Sequence, residues 1–508
     1  MTVETSVSEE TTPAAPPDTL SGSPSHETAQ IARAASVIAL GNTVSRVLGL
    51  VRETVKSHFF GAGGAVDAYN VATIVPTMMY DLLVGGAVDS SLVPVFSAYV
   101  AEKREELWGL VSVLLSLVVV ALAAFILLVE AFAPQVAFLL SSGSSPAVLD
   151  LTARLLRITV PAVLFLNLSG VLSGLLYALK RFAFPAFAAA VFNAGIVAAT
   201  LLFHNRLDIS AMALGLLIGA ILQFLLQVSG LRDARLRFRL TLRHPALRRI
   251  VTLYTPIVLG LLVEILISRP ISYNLASQTG EGGISWMNYA TYLRQLPQGL
   301  VATAISFAVL PTLSTHAARE RRSRGEEKGA FQSMLAKGLR LVVVLIVPAT
   351  VGLFILARPT VDLLFEHGDF LPFDTLMTTQ ALQFYLLGLP FAAIDLLLVF
   401  AFYARQDTLT PALIGVGVNV IYLGAAVALL PSWGLFSLMI ADSLKQLLHA
   451  LISGAILWKR LGGLSEHGLS RTVSLTSLSA GTMGLIAYGA LRAVETLLPG
   501  GSAIAELL

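Results

Sequence analysis

Residues 111–129 read VSVLLSLVVVALAAFILLV, a run without charge, proline or glycine. A bilayer's hydrocarbon core is about 30 Å thick and takes about 20 helical residues, so this run has the length of one crossing. It lacks the apolar–polar alternation of a barrel strand, and a helix satisfies every backbone group in lipid. Working outward, similar blocks occupy nearly all of the chain after residue 34. They lie near 35–59, 65–99, 108–133, 150–178, 183–203, 210–230, 250–276, 284–315, 338–357, 376–403, 410–430, 434–458 and 472–493. The chain is 56% hydrophobic and 13% charged, with a mean hydropathy of +0.78. These values describe an all-α polytopic membrane protein.

Several classes fall away on composition. There is no cysteine, so disulfides and thiolate metal sites are excluded. A net charge of +3 gives no case for nucleic acid. The sequence contains no GxxxxGK[ST] and no HExxH, no GxSxG in a strand–turn–helix context, and its eight histidines are scattered. Neither an enzyme, a catalytic residue nor a bound metal is expected.

Residues 1–30 are rich in Pro, Ser, Thr and Glu and predict a disordered tail without a cleaved signal peptide. Basic residues mark alternate connections: Lys103 and Arg104, Lys180 and Arg181, Arg232 to Arg249, Arg319 to Lys328, Arg405, then Lys459, Arg460 and Arg471. The connections near 141–149, 277–283 and 431–433 carry no Lys or Arg. By the positive-inside rule the basic loops and the N-terminus face the cytoplasm.

The halves repeat. Tyr177, Ala178, Pro185, Ala186 and Asn193 recur as Tyr403, Ala404, Pro411, Ala412 and Asn419, an offset of 226. Ser45-Arg46 answers Ser268-Arg269 at 223, and Leu92-Val93-Pro94 with Ser97 answers Val309-Leu310-Pro311 with Ser314 at 217. Two pseudo-symmetric six-helix lobes follow, helices 1–6 over 31–232 and helices 7–12 over 250–460, around a central cavity. A basic cytoplasmic linker joins them over 233–249, and 461–508 hold one or two further helices.

Charged residues inside spans identify the cavity, because a charge at bilayer depth costs about 2.5–3.5 kcal/mol. The first helix carries Arg46, Arg52, Glu53 and Lys56. Of these, Lys56 and Arg52 lie near enough to the outer end to snorkel, whereas Arg46 is deep. On the second block Asp67, Asp81 and Asp89 fall within an arc of about 80° at 100° per residue; Asp67 is also placed to cap its own helix. Glu264, Arg269 and Tyr273 surround Pro270, and the repeat sets Arg269 opposite Arg46 as a pair of forks for phosphate oxygens. Asn288, Tyr292 and Gln295 share a face of helix eight, with Arg294 turned away.

Five stretches carry a wider pattern: Ser45-Arg46-Val47-Leu48-Gly49-Leu50-Val51-Arg52-Glu53, Phe60-Gly61-Ala62-Gly63 with Asp67-Ala68-Tyr69, Arg181-Phe182 with Pro185-Ala186-Phe187, Ser285-Trp286-Met287 with Tyr289-Ala290, and Phe402-Tyr403-Ala404-Arg405-Gln406-Asp407 with Thr410-Pro411. In these the chain resembles the MurJ/MviN lipid II flippase family of the multidrug/oligosaccharidyl-lipid/polysaccharide exporter superfamily. The resemblance implies lobes rocking about a cationic cavity whose arginines hold a pyrophosphate, with Arg46, Arg52 and Asp67 at family functional positions. Two positions depart: Tyr80-Asp81 stands where the family usually has an arginine pair, and Thr291-Tyr292-Leu293-Arg294-Gln295 where it has Asp-Arg-x-x-Glu. The family usually ends in two further helices, of which one is visible.

The leading expectation is a multi-pass flippase of the bacterial inner membrane that moves an undecaprenyl-diphosphate-linked sugar outward by alternating access. Arg46, Arg52, Arg269, Arg294, Tyr292 and Asn288 are its expected substrate-binding residues, and Asp67, Asp81, Glu53 and Glu264 its gating or ion-coupling residues. No cofactor is expected; coupling is to Na+, H+, Cl− or the membrane potential. Partners are the lipid-linked sugar diphosphate and membrane lipids. A second reading changes the cargo to another lipid-linked glycan or a cation-exchanged drug, and a third makes the protein a scaffold for cell-wall synthesis proteins.

Overall fold

A computed structural model describes residues 24–85, 88–231, 235–241, 244–322, 328–463 and 468–497. Among them there is no strand; two short helices, Ala133–Ser141 and Ala357–Phe365, stand between blocks, and the remaining helices group into thirteen blocks. We number them α1 (Pro24–Phe60), α2 (Gly64–Leu83, resuming as Val93–Glu102), α3 (Arg104–Ala131), α4 (Pro146–Thr159 and Ala162–Ala178), α5 (Ala183–Leu207) and α6 (Ser210–Ser229). The second half holds α7 (Pro245–Leu262 and Arg269–Ser277), α8 (Gly283–Pro297 and Ala304–Arg322), α9 (Lys328–Ile355), α10 (Pro372–Leu386 and Leu389–Ala404), α11 (Leu409–Trp433) and α12 (Phe436–Leu461), followed by α13 (Leu469–Leu497). Seven single helices are long and apolar enough to cross a membrane, and the bent pairs of α4 and α10 make nine. The others, α1, α2, α7 and α13, carry charges or breaks within their apolar sequence.

The helix boundaries correct two expectations. α1 begins at Pro24, inside the stretch expected to be a disordered tail, and α7 begins at Pro245, inside the expected linker. Residues 1–23, 232–234, 242–243 and 498–508 lie outside the described residues, as does any fourteenth helix.

The repeat is visible in backbone geometry as well as in residues. α4 bends by 41° and α10 by 44°. Positive φ at Lys180 (58°) recurs at Gln406 (63°), and at Asp208 (48°) recurs at Gly434 (51°), each 226 residues on. These angles lie in the left-handed region that non-glycine residues seldom adopt. Asn193 Nδ2 on α5 donates to the Ser45 carbonyl on α1 at 3.3 Å, and Ser268 Oγ on α7 donates to Asn419 Oδ1 on α11 at 3.2 Å. The matched Ser and Asn residues therefore fasten the first helix of each lobe to its fifth.

Three blocks contain π turns: Val88–Leu92 in α2, Val263–Ser268 in α7 and Gln298–Thr303 in α8. Each lies near a proline, Pro94, Pro270 or Pro297, whose missing N–H disturbs the regular ladder. The turn in α2 also breaks the 100° register by which Asp89 was expected to share a face with Asp67 and Asp81. The side chain of Asp89 lies outside the described residues.

Between the lobes, segment 235–241 runs non-helically along α3. The N–H groups of Arg237 and Arg239 donate to Ser112 Oγ and Ser116 Oγ at 3.0 and 2.9 Å. Four helical residues rise about 6 Å and two extended residues about the same, so the two serines match alternate residues of the segment. Both hydroxyls lie inside the apolar run 111–129 and are buried.

Candidate functional site

Three charges on α1, Arg52, Glu53 and Lys56, condense into one cluster. Arg52 donates through Nε and Nη2 to Glu53 Oε1 at 3.1 and 2.7 Å, and through Nη1 to Asn193 Oδ1 at 2.9 Å. Lys56 Nζ pairs with Glu53 Oε2, reaches Asn70 Oδ1 at 3.4 Å and sits 4.5 Å from the centre of the Tyr289 ring. Glu53 is 6% and Lys56 3% exposed. Lys56 therefore does not take the snorkelling alternative that its position near the outer end allowed: a carboxylate one turn away and an aromatic face hold it inside.

A cavity of about 500 Å³ opens beside this cluster. Arg52, Glu53 and Lys56 line it from α1 and Asp81 from α2; Glu264, Arg269 and Tyr273 from α7; Asn288, Tyr292, Arg294 and Gln295 from α8; Asp442 and Lys445 from α12. Five of its lining residues are cations (Arg52, Lys56, Arg269, Arg294, Lys445) and four are carboxylates (Glu53, Asp81, Glu264, Asp442). The site carries positive charge in excess, largely in paired form.

The C-terminal lobe supplies a network the sequence reading missed. Arg294 Nη1 pairs with Asp442 Oδ2, while Lys445 Nζ lies 3.2 Å from Asp442 Oδ1 and 3.7 Å from Glu264 Oε2. Aromatic faces cover both cations, Tyr385 at 4.6 Å from Arg294 and Tyr422 at 5.0 Å from Lys445. Arg294 was expected to turn away from Asn288, Tyr292 and Gln295. All four line the same cavity, because it wraps around α8 toward α12. Asp442 and Lys445 were findable: they lie three residues apart within an apolar span, the signal that drew attention to Arg46.

A second chamber of about 670 Å³ adjoins the first and shares Arg52, Tyr292, Arg294 and Gln295 with it. Asn42, Ser45, Arg46 and Gly49 of α1 and Gln298, Gly299 and Thr303 of α8 complete its walls with Asn193 and Leu296. Tyr292 OH donates to the Arg46 carbonyl at 3.3 Å. A Cβ on Gly49 would come within 2.6 Å of that hydroxyl, so glycine there lets α8 approach. Arg46 and Arg269 line different chambers, and Arg269 is held by Asp81 at 2.7 Å. The expected symmetric pair of forks is not formed; Asp81 of α2, 188 residues earlier, takes one of them.

Asp67 serves neither chamber. Its Oδ2 accepts from Gly282 N at 2.7 Å and its Oδ1 from Ser285 N at 2.8 Å and Ser285 Oγ at 2.6 Å. It caps the start of α8 in the other lobe rather than its own helix, with its charge at the positive end of the helix dipole. Around it the lobes join repeatedly at the end away from the basic loops. Tyr289 OH donates to the Gly61 carbonyl at 2.9 Å, Asp369 N to the His58 carbonyl at 3.0 Å and Gly143 N to Ser277 Oγ at 3.0 Å.

The family model described as "Lipid II flippase MurJ" matches residues 56–506. The chain belongs to that family. A Burkholderia cenocepacia protein named "Lipid II flippase MurJ" is 31% identical over 74% of each chain, and a Vibrio cholerae protein named "Probable lipid II flippase MurJ" is 29% identical over 90% of this chain and 87% of its own. A solved structure described as "Lipid II flippase MurJ, inward closed conformation" matches with a TM-score of 0.74 and 25% identity, covering 90% of this chain and 98% of that one. A multidrug resistance MATE family transporter in an inward-facing conformation matches with a TM-score of 0.68 at 13% identity, over 83% of this chain and 96% of that one, and shares the fold alone. The two-lobed membrane architecture and the family expected from the sequence are both found, and the chain is a multi-pass bacterial membrane protein.

Proposed function

We propose that the chain moves lipid II across the inner membrane, with the basic end in the cytoplasm and the Asp67 end outside. The observation that carries this reading is Arg52. It stands where the two chambers meet, within reach of an anion arriving from the α1–α8 chamber and of one resting in the central cavity. A diphosphate presents oxygens that guanidinium forks bind in pairs. On this reading Arg46 meets the headgroup first, Arg52 passes it inward, and Arg269, Arg294 and Lys445 complete its surroundings. The polyprenyl tail stays in lipid beside the α1–α8 gap.

Each cavity carboxylate has a basic partner, so an arriving diphosphate competes for cations already held. Arg269–Asp81 is the most solvated of the cavity's arginine–carboxylate pairs, with side chains 30% and 36% exposed against 24% and 7% for Arg52–Glu53 and 13% and 11% for Arg294–Asp442. It is the one that exchange with a ligand disturbs least. A membrane potential of 100 mV supplies about 2.3 kcal/mol per charge moved, enough to bias the lobes.

The test is reconstitution of the purified chain in proteoliposomes, with flipping of lipid II measured beside another polyprenyl-diphosphate glycan. Movement of lipid II that is lost in Arg52→Ala is expected. If neither lipid moves in either direction under an applied potential, the reading fails. Rescue of flippase-depleted cells by Arg46→Ala and Arg52→Ala variants would favour a scaffold instead.

A further inference from the structure

Asp442, Lys445, His449 and Ser453 follow one another at helical spacing along a single face of α12. The first two line the cavity; the next one leaves it. His449 Nδ1 lies 2.6 Å from Asp395 Oδ1 on α10, and Ser453 Oγ lies 3.3 Å from the same nitrogen. The His449 and Asp395 side chains are 12% and 13% exposed. His449 falls near the middle of the 26-residue helix, at the depth where an ionisable group is most costly.

The N-terminal lobe fills the equivalent place with neutral groups. Gln223 on α6 and Ser169 on α4, each 226 residues earlier, hydrogen-bond at 2.8 Å across the same separation of 54 residues. The fold therefore needs only one polar contact here. An Asp–His pair adds a titratable group that packing does not require. Because Asp395 accepts at Nδ1, that nitrogen carries the hydrogen of the neutral ring, and Nε2 is left to take a second proton. Nε2 faces Gly415 of α11, where a Cβ would stand 3.8 Å away.

Lys445, one turn up α12, is the neighbouring cation, with Asp442 beyond it and Glu264 of α7 reached through it. From α10 come Asp395 itself and Tyr403, which lies within electrostatic range of it. α11 presents Gly415 here, and Asn419 and Tyr422 further along. With a neutral imidazole the pair has a net charge of −1, and one added proton makes it zero.

We propose that His449 and Asp395 form a proton-binding site linked to anion binding in the cavity. A proton on Nε2 adds a positive charge to the side chain one helical turn along the same face from Lys445 and raises the potential of the cavity wall. A diphosphate in the cavity lowers that potential and draws the proton on. By linkage each ligand strengthens the other. This rests on the cargo being an anionic lipid-linked diphosphate, as argued above.

The test installs the N-terminal lobe's own pair: Asp395→Ser with His449→Gln in the full chain, with Asp395→Asn alone should the double variant not fold. Infrared difference spectra between pH 8 and pH 5.5 read the site without any cargo. Carboxylate and imidazole bands that titrate in the wild type and vanish in the variant are expected; identical difference spectra would overturn the site. Lipid II binding in weak buffer reads the linkage. The wild type should take up as much as one proton per lipid bound, and its affinity should rise by up to about tenfold per pH unit of acidification. The variant should bind with no uptake and a flat profile. A wild type that binds lipid II without uptake overturns the linkage, whereas titrating bands without lipid II binding condemn the cargo assignment and leave the proton site standing.

Discussion

Ser285 donates to Asp67 twice, from its backbone N–H at 2.8 Å and its hydroxyl at 2.6 Å, although the two residues belong to different lobes and lie 218 positions apart. The seal at that end of the molecule depends on a carboxylate receiving three donors. Hydrogen bonds to a charged group are worth about 1.5–3 kcal/mol each, so Asp67→Asn should shift the open-to-closed ratio there by about ten- to a hundredfold. The chain has no native cysteine, which makes single introduced cysteines clean reporters. Thiol labelling at positions 58–63 should rise in Asp67→Asn; unchanged labelling would show that the seal does not depend on this charge.

Arg52 touches Glu53 and Asn193 simultaneously and lines both chambers. A lysine retains the charge but has no planar fork. Arg52→Lys should leave membrane levels unchanged while weakening lipid-diphosphate binding by about tenfold, corresponding to about 1.4 kcal/mol, and Arg52→Ala should weaken it further. Binding of Arg52→Lys indistinguishable from wild type would exclude the fork as the recognition element.

The Arg294–Asp442–Lys445 network makes a prediction about stability. Removing one member of a buried ion pair strands the others and costs about 3–5 kcal/mol, whereas replacing both by apolar residues of similar volume is often tolerated. Asp442→Ala should therefore lower the melting temperature in detergent more than Arg294→Met with Asp442→Leu does, since Lys445 keeps Glu264 in the double variant. The reverse order of melting temperatures would contradict it.

At the basic end, Asp407 accepts from Thr410 N at 2.9 Å and Thr410 Oγ1 at 2.6 Å and pairs with Arg460. Burial alone would raise its carboxyl; the Thr410 hydrogen bonds and the Arg460 guanidinium outweigh it and hold the group below its ordinary value. A depressed folded value means that the stabilisation is complete above the unfolded value, about 3.9, and is lost as pH falls through the folded one. Thermal melts should find Asp407→Asn less stable than wild type at pH 7, with the gap closing below about pH 4. A gap of constant size across that range would remove Asp407 as its cause.

Much of this molecule was legible because hydrophobic length is a direct consequence of the solvent. The thirteen blocks, and the matching of Tyr177, Pro185 and Asn193 to Tyr403, Pro411 and Asn419, needed only the sequence. Eight of the expected site residues, Arg52, Glu53, Asp81, Glu264, Arg269, Asn288, Tyr292 and Arg294, line the central cavity. The partnerships were not legible. Arg46 and Arg269 occupy equivalent positions in the repeat, but equivalence within each lobe does not bring two side chains together across the interface, and Asp81 competes for one of them. Asp67 looked like a cap for the helix it begins, whereas the donors it finds come from the other lobe. Local spacing determines which face a residue occupies; which neighbour reaches it depends on helices hundreds of residues away.

Lys180 and Gln406 share a backbone angle but no chemistry, and so do Asp208 and Gly434. A conformation retained after its residues have diverged is the mark of duplication: one ancestral lobe, copied, with the turns outlasting the side chains. That history orders the rest of the molecule in time. What both lobes possess, the bent fourth helix and the serine–asparagine fastening, is inherited. What only one possesses, Arg52–Glu53–Lys56 on one side and Asp442–Lys445–His449 on the other, marks where the two copies have diverged into halves with different tasks.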